Sequence, residues 1–151
     1  MPKARYIAPQ FGGSADEVET AFYNALRASD IDRFMACWAD EDDVVCVYPG
    51  GPRLVGVAAI RGAFEPILAV GSMRIHPEHP RRIINTLGVA AHSMLERLEV
   101  VNPEGGGMQS VWVVATNVYL RTGAGWRMVA HHASASRAEV AEVTQPGHLL
   151  H

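Results

Sequence analysis

The chain has 151 residues, 48% of them hydrophobic and 19% charged, with a net charge of −3 when histidine is neutral. That length suits one domain with a real core, and that charge gives no field strong enough to recruit nucleic acid or anionic lipid. No apolar run approaches the roughly 20 residues of a membrane helix. No continuous apolar stretch follows the basic start MPKARYIAPQFGG, so no secretory leader is expected. Cys37 and Cys46 are the only cysteines. Two cannot build a disulfide framework and neither sits in a C-x-x-C pair, so they read as reduced, partly buried thiols of a cytoplasmic protein.

Residues 1–13 read as a mobile lead-in to a single domain over 14–136. Ser14-Ala15-Asp16-Glu17 is a capping box, in which serine and glutamate satisfy backbone N–H groups at a helix start. Val18, Ala21, Phe22, Ala25 and Leu26 then recur at helical spacing, one apolar face ending near Ala28. Ser29-Asp30 stops that helix and caps a shorter one carrying Ile31, Phe34, Met35 and Trp38. After an acidic turn at 39–43, Val44–Tyr48 is short and β-branched, hence a strand closed by Pro49-Gly50-Gly51-Pro52. A third helix starts near Gly56 with Val57, Ile60, Ala63, Phe64, Ile67 and Leu68 on one side, and Pro66 kinks it. From residue 73 onward the pattern is extended, over 73–76, 81–87, 89–100, 109–121 and 126–134. Hairpin loops at 102–107 and 122–125 separate the last three. The tail 137–151 has no clear period.

Helices first and strands afterwards, without βαβ alternation, give an α+β class. The economical packing is one curved antiparallel sheet with the three helices on its concave face, which leaves an apolar cavity between the layers. The stretches DDVVCVYPGGPRLVGVAAIRGAF (42–64) and VATNVYLRTGAGWRMVAHHAS (114–134), with the paired helices before them, resemble the nuclear transport factor 2-like superfamily. Within it the likeness is to its SnoaL-like and ketosteroid isomerase-like small proteins. The resemblance covers about residues 15–135. It implies a cone-shaped α+β barrel, a cystatin-like roll, and a homodimer through the outer sheet face. It is specific for fold and not for activity, because this fold hosts isomerases, hydrolases, cyclases, dehydratases and proteins without chemistry.

Side chains alternate faces along a strand. Trp126, Met128, Ala130, His132 and Ser134 share one face, and Arg127, Val129, His131 and Ala133 the other, so the adjacent histidines cannot jointly bind a metal. The Trp126 face is the better pocket wall, with Arg127 suited to solvent. His132 is then the candidate proton-transfer group, the alternative being a core histidine bonded to a neighbour, and His131 falls at an interface. A tight loop at 123–124 puts Tyr119 beside Met128 and Asn117 beside Ala130 on the same face. A register slip would reverse these faces. Trp112 faces away, toward an interface. Trp38 and Tyr48 are placed at the cavity mouth, and Asp43, at the start of the first strand, is a candidate acid.

Glu96 lies among apolar neighbours. It is either a base with a raised pKa or an exposed or interface carboxylate, and the second is preferred. His76-Pro77-Glu78-His79 reads as a surface turn, because a single H-x-x-H pair lacks a third ligand. Enzymes of the resembling family keep an aspartate in the cavity, and no late strand supplies one clearly. Two readings therefore stand. The first is a cofactor-free, metal-free acid–base enzyme on a small apolar ligand, with His132, Asn117 and Asp43 catalytic and Trp38, Tyr48, Tyr119, Trp126, Met128 and Ser134 binding. The second is a non-catalytic ligand-binding or dimeric association module. Neither involves nucleic acid or membrane.

Overall fold

The computed structural model describes residues 11–71 and 73–137. Most of the expected lead-in (1–13) and nearly all of the tail (137–151) lie outside the described residues. Those of the lead-in that are described, 11–13, sit against the last strand: Trp126 N donates to Gly12 O at 2.7 Å and Arg127 Nη1 to Phe11 O at 3.3 Å.

Helix α1 is Ala15–Ala28. Its capping box forms as spaced, with Glu17 N donating to Ser14 Oγ at 3.1 Å and Gly13 N to Glu17 Oε1 at 2.6 Å. Ser29 ends it at φ 56°, a left-handed C-cap. Asp30 caps α2, Ile31–Ala36, through a 3.1 Å bond from Arg33 N. That helix stops before Trp38, because the chain turns to run beside the last strand. Met128 N donates to Cys37 O at 2.7 Å and Ala39 N to Met128 O at 2.9 Å. Strands β1 (Val45–Val47) and β2 (Leu54–Val55) follow, then α3 (Val57–Ala69), with Pro66 inside it on an exposed position.

Four long strands complete the chain: β3 (Ile75–Asn85), β4 (Val89–Val101), β5 (Met108–Thr122) and β6 (Gly125–Ser136). The sheet order is β2-β1-β6-β5-β4-β3. It is curved and open rather than a closed barrel, and one pairing, β1 with β6, is parallel. The surface turn expected at 76–79 is instead the start of β3, an edge strand that tolerates Pro77 in register and Pro80 at a register shift.

The three helices pack on the face that presents Met94, Val113, Ala115, Tyr119 and Met128, and these join Val18, Phe22, Phe34, Ile60 and Phe64 in one core. Phe22, Phe34 and Phe64 form a run of ring contacts, with centroids 5.0 and 4.5 Å apart. The α+β class and the helix-on-sheet packing are those expected from the sequence.

One local feature decides the site. Tyr119 pairs with Met128, but the next residue back on β5, Val118, pairs with Ala130. Two residues of β6 therefore stand against one step of β5, a β-bulge that leaves Val129 unpaired. Alternation along β6 reverses across it. Met128 is buried before the bulge, and His131 and Ala133 are buried after it.

Candidate active site

The bulge corrects the face expected for the two histidines. His131 points inward and is 5% exposed, whereas His132 is exposed and pairs with exposed Thr116 on the outer face. Asn117 lies opposite His131, one residue from the expected Ala130, and Tyr119 lies opposite Met128 as expected. Ser134 also falls on the outer, exposed face, and Asp43 is exposed at the entry to β1. Trp38 is 4% exposed and packs on Phe22 and Phe34 in the core rather than at a mouth. Met128 is fully buried and Trp126 half-buried, and neither lines the cavity described next. Tyr48 does line it.

That cavity has a volume of about 170 Å³ and lies between the helices and the sheet. Its walls are apolar, with Phe22, Leu26, Phe64, Ile67, Leu98 and Val113 among them, and its polar members are Tyr48, Glu96 and His131. Glu96 is 4% exposed. It sits inward on β4 because it shares a face with His92 and Met94, which are also buried. The preference for an exposed carboxylate is thus overturned: the apolar neighbours on its own face were the signal, and Tyr23 from α1 supplies the partner a buried carboxylate needs.

Tyr23 donates its O–H to Glu96 Oε2 at 2.6 Å, and Asn117 Nδ2 donates to the Tyr23 oxygen at 3.1 Å. Asn117 Oδ1 lies 2.5 Å from His131 Nδ1. His131 Nε2 stands 3.9 Å from Glu96 Oε2. Three elements thus assemble the group: α1 gives Tyr23, β4 gives Glu96, and neighbouring β5 and β6 give Asn117 and His131.

Burial dominates the acid–base character of this group. Desolvation raises the Glu96 pKa to about 7, against a lowering by the Tyr23 hydrogen bond. Desolvation, with the nearby His132 charge second, lowers the His131 pKa to about 4, so its ring is neutral at pH 7. Burial also holds the Tyr23 hydroxyl well above its ordinary range. A carboxyl that titrates near neutrality beside a neutral imidazole is suited to proton transfer.

A second polar group lies behind the first. Tyr119 donates to Glu19 Oε2 at 2.7 Å, and His92 Nδ1 is 2.8 Å from the same oxygen. Asp16, Glu19 and His92 each place one ligand-type atom within 4.8 Å of the others. Arg82 already holds both Asp16 oxygens, at 3.2 and 3.0 Å, so a protein cation takes up the charge there.

Residues 16–138 match the model of the SnoaL-like domain family. No curated protein matches the chain. Among solved structures, a candidate calcium/calmodulin-dependent protein kinase type II association domain from Thiobacillus denitrificans is 32% identical. It aligns over 85% of this chain and 99% of its own, with a TM-score of 0.70. A candidate dehydratase of the nuclear transport factor 2-like family from Streptomyces avermitilis is 28% identical over 80% of this chain and 93% of its own, with a TM-score of 0.68. A ketosteroid isomerase-like protein from Erwinia carotovora shares the fold at 16% identity, over 80% of this chain and 92% of its own, with a TM-score of 0.63.

Proposed function

The chain belongs to the SnoaL-like domain family, and from that premise we propose that it binds a small, mainly apolar molecule between helices and sheet and moves a proton on it without a cofactor. Glu96 is the general base and His131 the neutral partner beside it. The carrying observation is the placement of the Glu96 carboxylate and His131 Nε2, 3.9 Å apart, in an apolar cavity. Asn117 and Tyr23 act as positioning residues: they orient the imidazole and the carboxylate, are buried, and do not themselves line the cavity. The roles first given to His132, Asn117 and Asp43 pass in this reading to Glu96 and His131.

The test is exchange of carbon-bound deuterium into water from 2-hydroxycyclohexanone, a compact molecule with an acidic C–H, followed by NMR. The protein is expected to accelerate exchange, with a rate that rises as Glu96 ionises through about pH 7. Glu96→Gln is expected to lose about 10²-fold or more, the usual scale of general-base catalysis. Exchange no faster than buffer, or equal in Glu96→Gln, would remove the catalytic role.

We also propose a homodimer through the outer sheet face. Trp112, Val114 and Val118 are half-buried there and Leu120 is 37% exposed, while the helices cover only the other side. Contiguous apolar surface of this kind marks an interaction site. A purely associative module is the second reading, supported by that face and by the name of the Thiobacillus protein. We place the protein in a reducing compartment, in keeping with two buried, unpaired thiols. Among the described residues no helix is long and apolar enough to cross a membrane.

A further inference from the structure

Hydrogen-bond bookkeeping around Asn117 fixes which partner the cavity requires. Tyr23 has one hydroxyl proton, and it is spent on Glu96. The Tyr23 oxygen therefore accepts, and the amide nitrogen of Asn117 faces it. The amide oxygen must then face His131, so Nδ1 of that ring carries the proton. A neutral imidazole has only one N–H. Nε2 is left as a bare lone pair, directed at the side where Glu96 stands.

The inner end of the cavity thus presents two acceptors side by side and no donor. Tyr48, the remaining polar lining residue, stands apart from this pair: its ring edge lies under the turn at Gly51, where an added Cβ would come within 2.6 Å of Cζ. Among the described residues no Lys or Arg lines the cavity, so nothing there pairs with an anion. Its volume of about 170 Å³ is below the ~300–1,000 Å³ of drug-sized sites, which leaves room for a single ring.

We propose that the cavity is specific for an uncharged, ring-sized molecule that carries a hydroxyl, its O–H held between the Glu96 carboxylate and His131 Nε2. This rests on the reading of the cavity as a ligand site, but it does not need turnover. An apolar molecule of the same shape leaves His131 Nε2 buried and unpaired and gives the carboxylate no partner beyond Tyr23, which is the costly case for polar groups. A carboxylate meets a second carboxylate.

Calorimetric titration with p-cresol, p-xylene, 4-methylanisole and p-toluate at pH 8.5 tests the inference. p-Cresol is expected to bind at least tenfold more tightly than p-xylene or 4-methylanisole, and p-toluate to give no heat. In Glu96→Gln the amide oxygen keeps the place that accepts from Tyr23 and an N–H replaces the other carboxylate oxygen, so one acceptor becomes a donor and the advantage of p-cresol over p-xylene is expected to vanish. Should that variant not fold, the wild-type protein at pH 5 serves: there Glu96 holds a proton, and the tenfold ratio is expected to shrink. The other titratable groups against Glu96 are Tyr23 on α1, His131 on β6 and Cys46 on β1. None changes state between pH 5 and 8.5: the hydroxyl and thiol are pushed up by burial and the imidazole pushed down. Equal affinity for p-cresol and p-xylene in the wild type, or no binding of p-cresol, would overturn the inference. Preserved discrimination without any deuterium exchange would overturn the catalytic reading and leave this one standing.

Discussion

Glu96 is a stabilising group only while it is protonated. Its folded pKa of about 7 is raised above the ordinary 4.5, so the folded state holds the proton more tightly than the unfolded chain between those values. Stability from this group is full below pH 4.5 and lost as pH rises through about 7, a change of about 3 kcal/mol at 1.36 kcal/mol per pH unit. His131 runs the other way: its pKa is lowered to about 4, so its contribution is present above pH 6.5 and lost as pH falls through about 4. The two slopes oppose each other between 4.5 and 6.5, so the wild type is expected to look flat there. Urea denaturation of Glu96→Gln at a series of pH values is expected to uncover the His131 slope and to gain on wild type by about 3 kcal/mol between pH 4.5 and 8. A constant difference would mean that Glu96 titrates normally.

Tyr23→Phe removes the hydrogen bond that holds the Glu96 pKa down. The midpoint of the pH–rate profile is therefore expected to move upward, while saturating activity at high pH falls less. Gly51→Ala drives a methyl into the Tyr48 ring at the cavity mouth, with no backbone penalty since Gly51 is not among the glycines of positive φ. Weaker p-cresol binding with an unchanged melting temperature is the expected result, read by calorimetry and thermal scanning.

At the level of elements, Pro66 lies inside the continuous helix α3 at an exposed position, where proline offers no N–H for a helix hydrogen bond. Pro66→Ala is expected to stabilise by about 1 kcal/mol, less than the ~3 kcal/mol of an interior proline because the helix is already shaped around it. A lower melting temperature would show that the proline itself is needed. The helices were legible because capping residues and 3.6-residue spacing are local signals: Ser14, Glu17 and Asp30 act as their positions dictate. The hairpin of β5 and β6 was legible from its glycine loop, and so was the pairing of Tyr119 with Met128. The site was not, because its geometry turns on one unpaired residue. Val129 looks like any strand valine, yet the bulge there exchanges His132 for His131 in the cavity. Glu96 was legible only as a face neighbour of Met94 and Leu98. What makes its burial tolerable is Tyr23, a partner far away in sequence that no periodicity reveals.

At the scale of the molecule, the outer sheet face is the open surface among the described residues. Leu95 and Ala91 are buried on it without joining the core, and Trp112, Val114 and Val118 surround them. Thr116 is exposed at its centre, between Ser93 and His132. In a two-fold dimer a residue at the centre meets its own copy. Thr116→Glu is expected to convert a dimer to monomer in multi-angle light scattering, with cavity binding of p-cresol retained. A wild-type monomer at micromolar concentration would exclude this assembly.

The parallel pairing of β1 with β6 has a kinetic consequence. Val45, Cys46 and Val47 find their partners Ala130, His131 and His132 only at the far end of the chain. The β3–β4–β5 meander can assemble from near neighbours, but the strand that carries Cys46 waits until β6 has been synthesised. Closing so long a loop is entropically slow, and rates fall as contacts become less local. A nascent chain halted before Gly125 holds β1 and β2 as an unpaired two-stranded ribbon with no sheet to join, and two-stranded ribbons are marginal alone. The step that completes the cavity, bringing His131 beside Cys46, thus waits for β6, the last strand among the described residues.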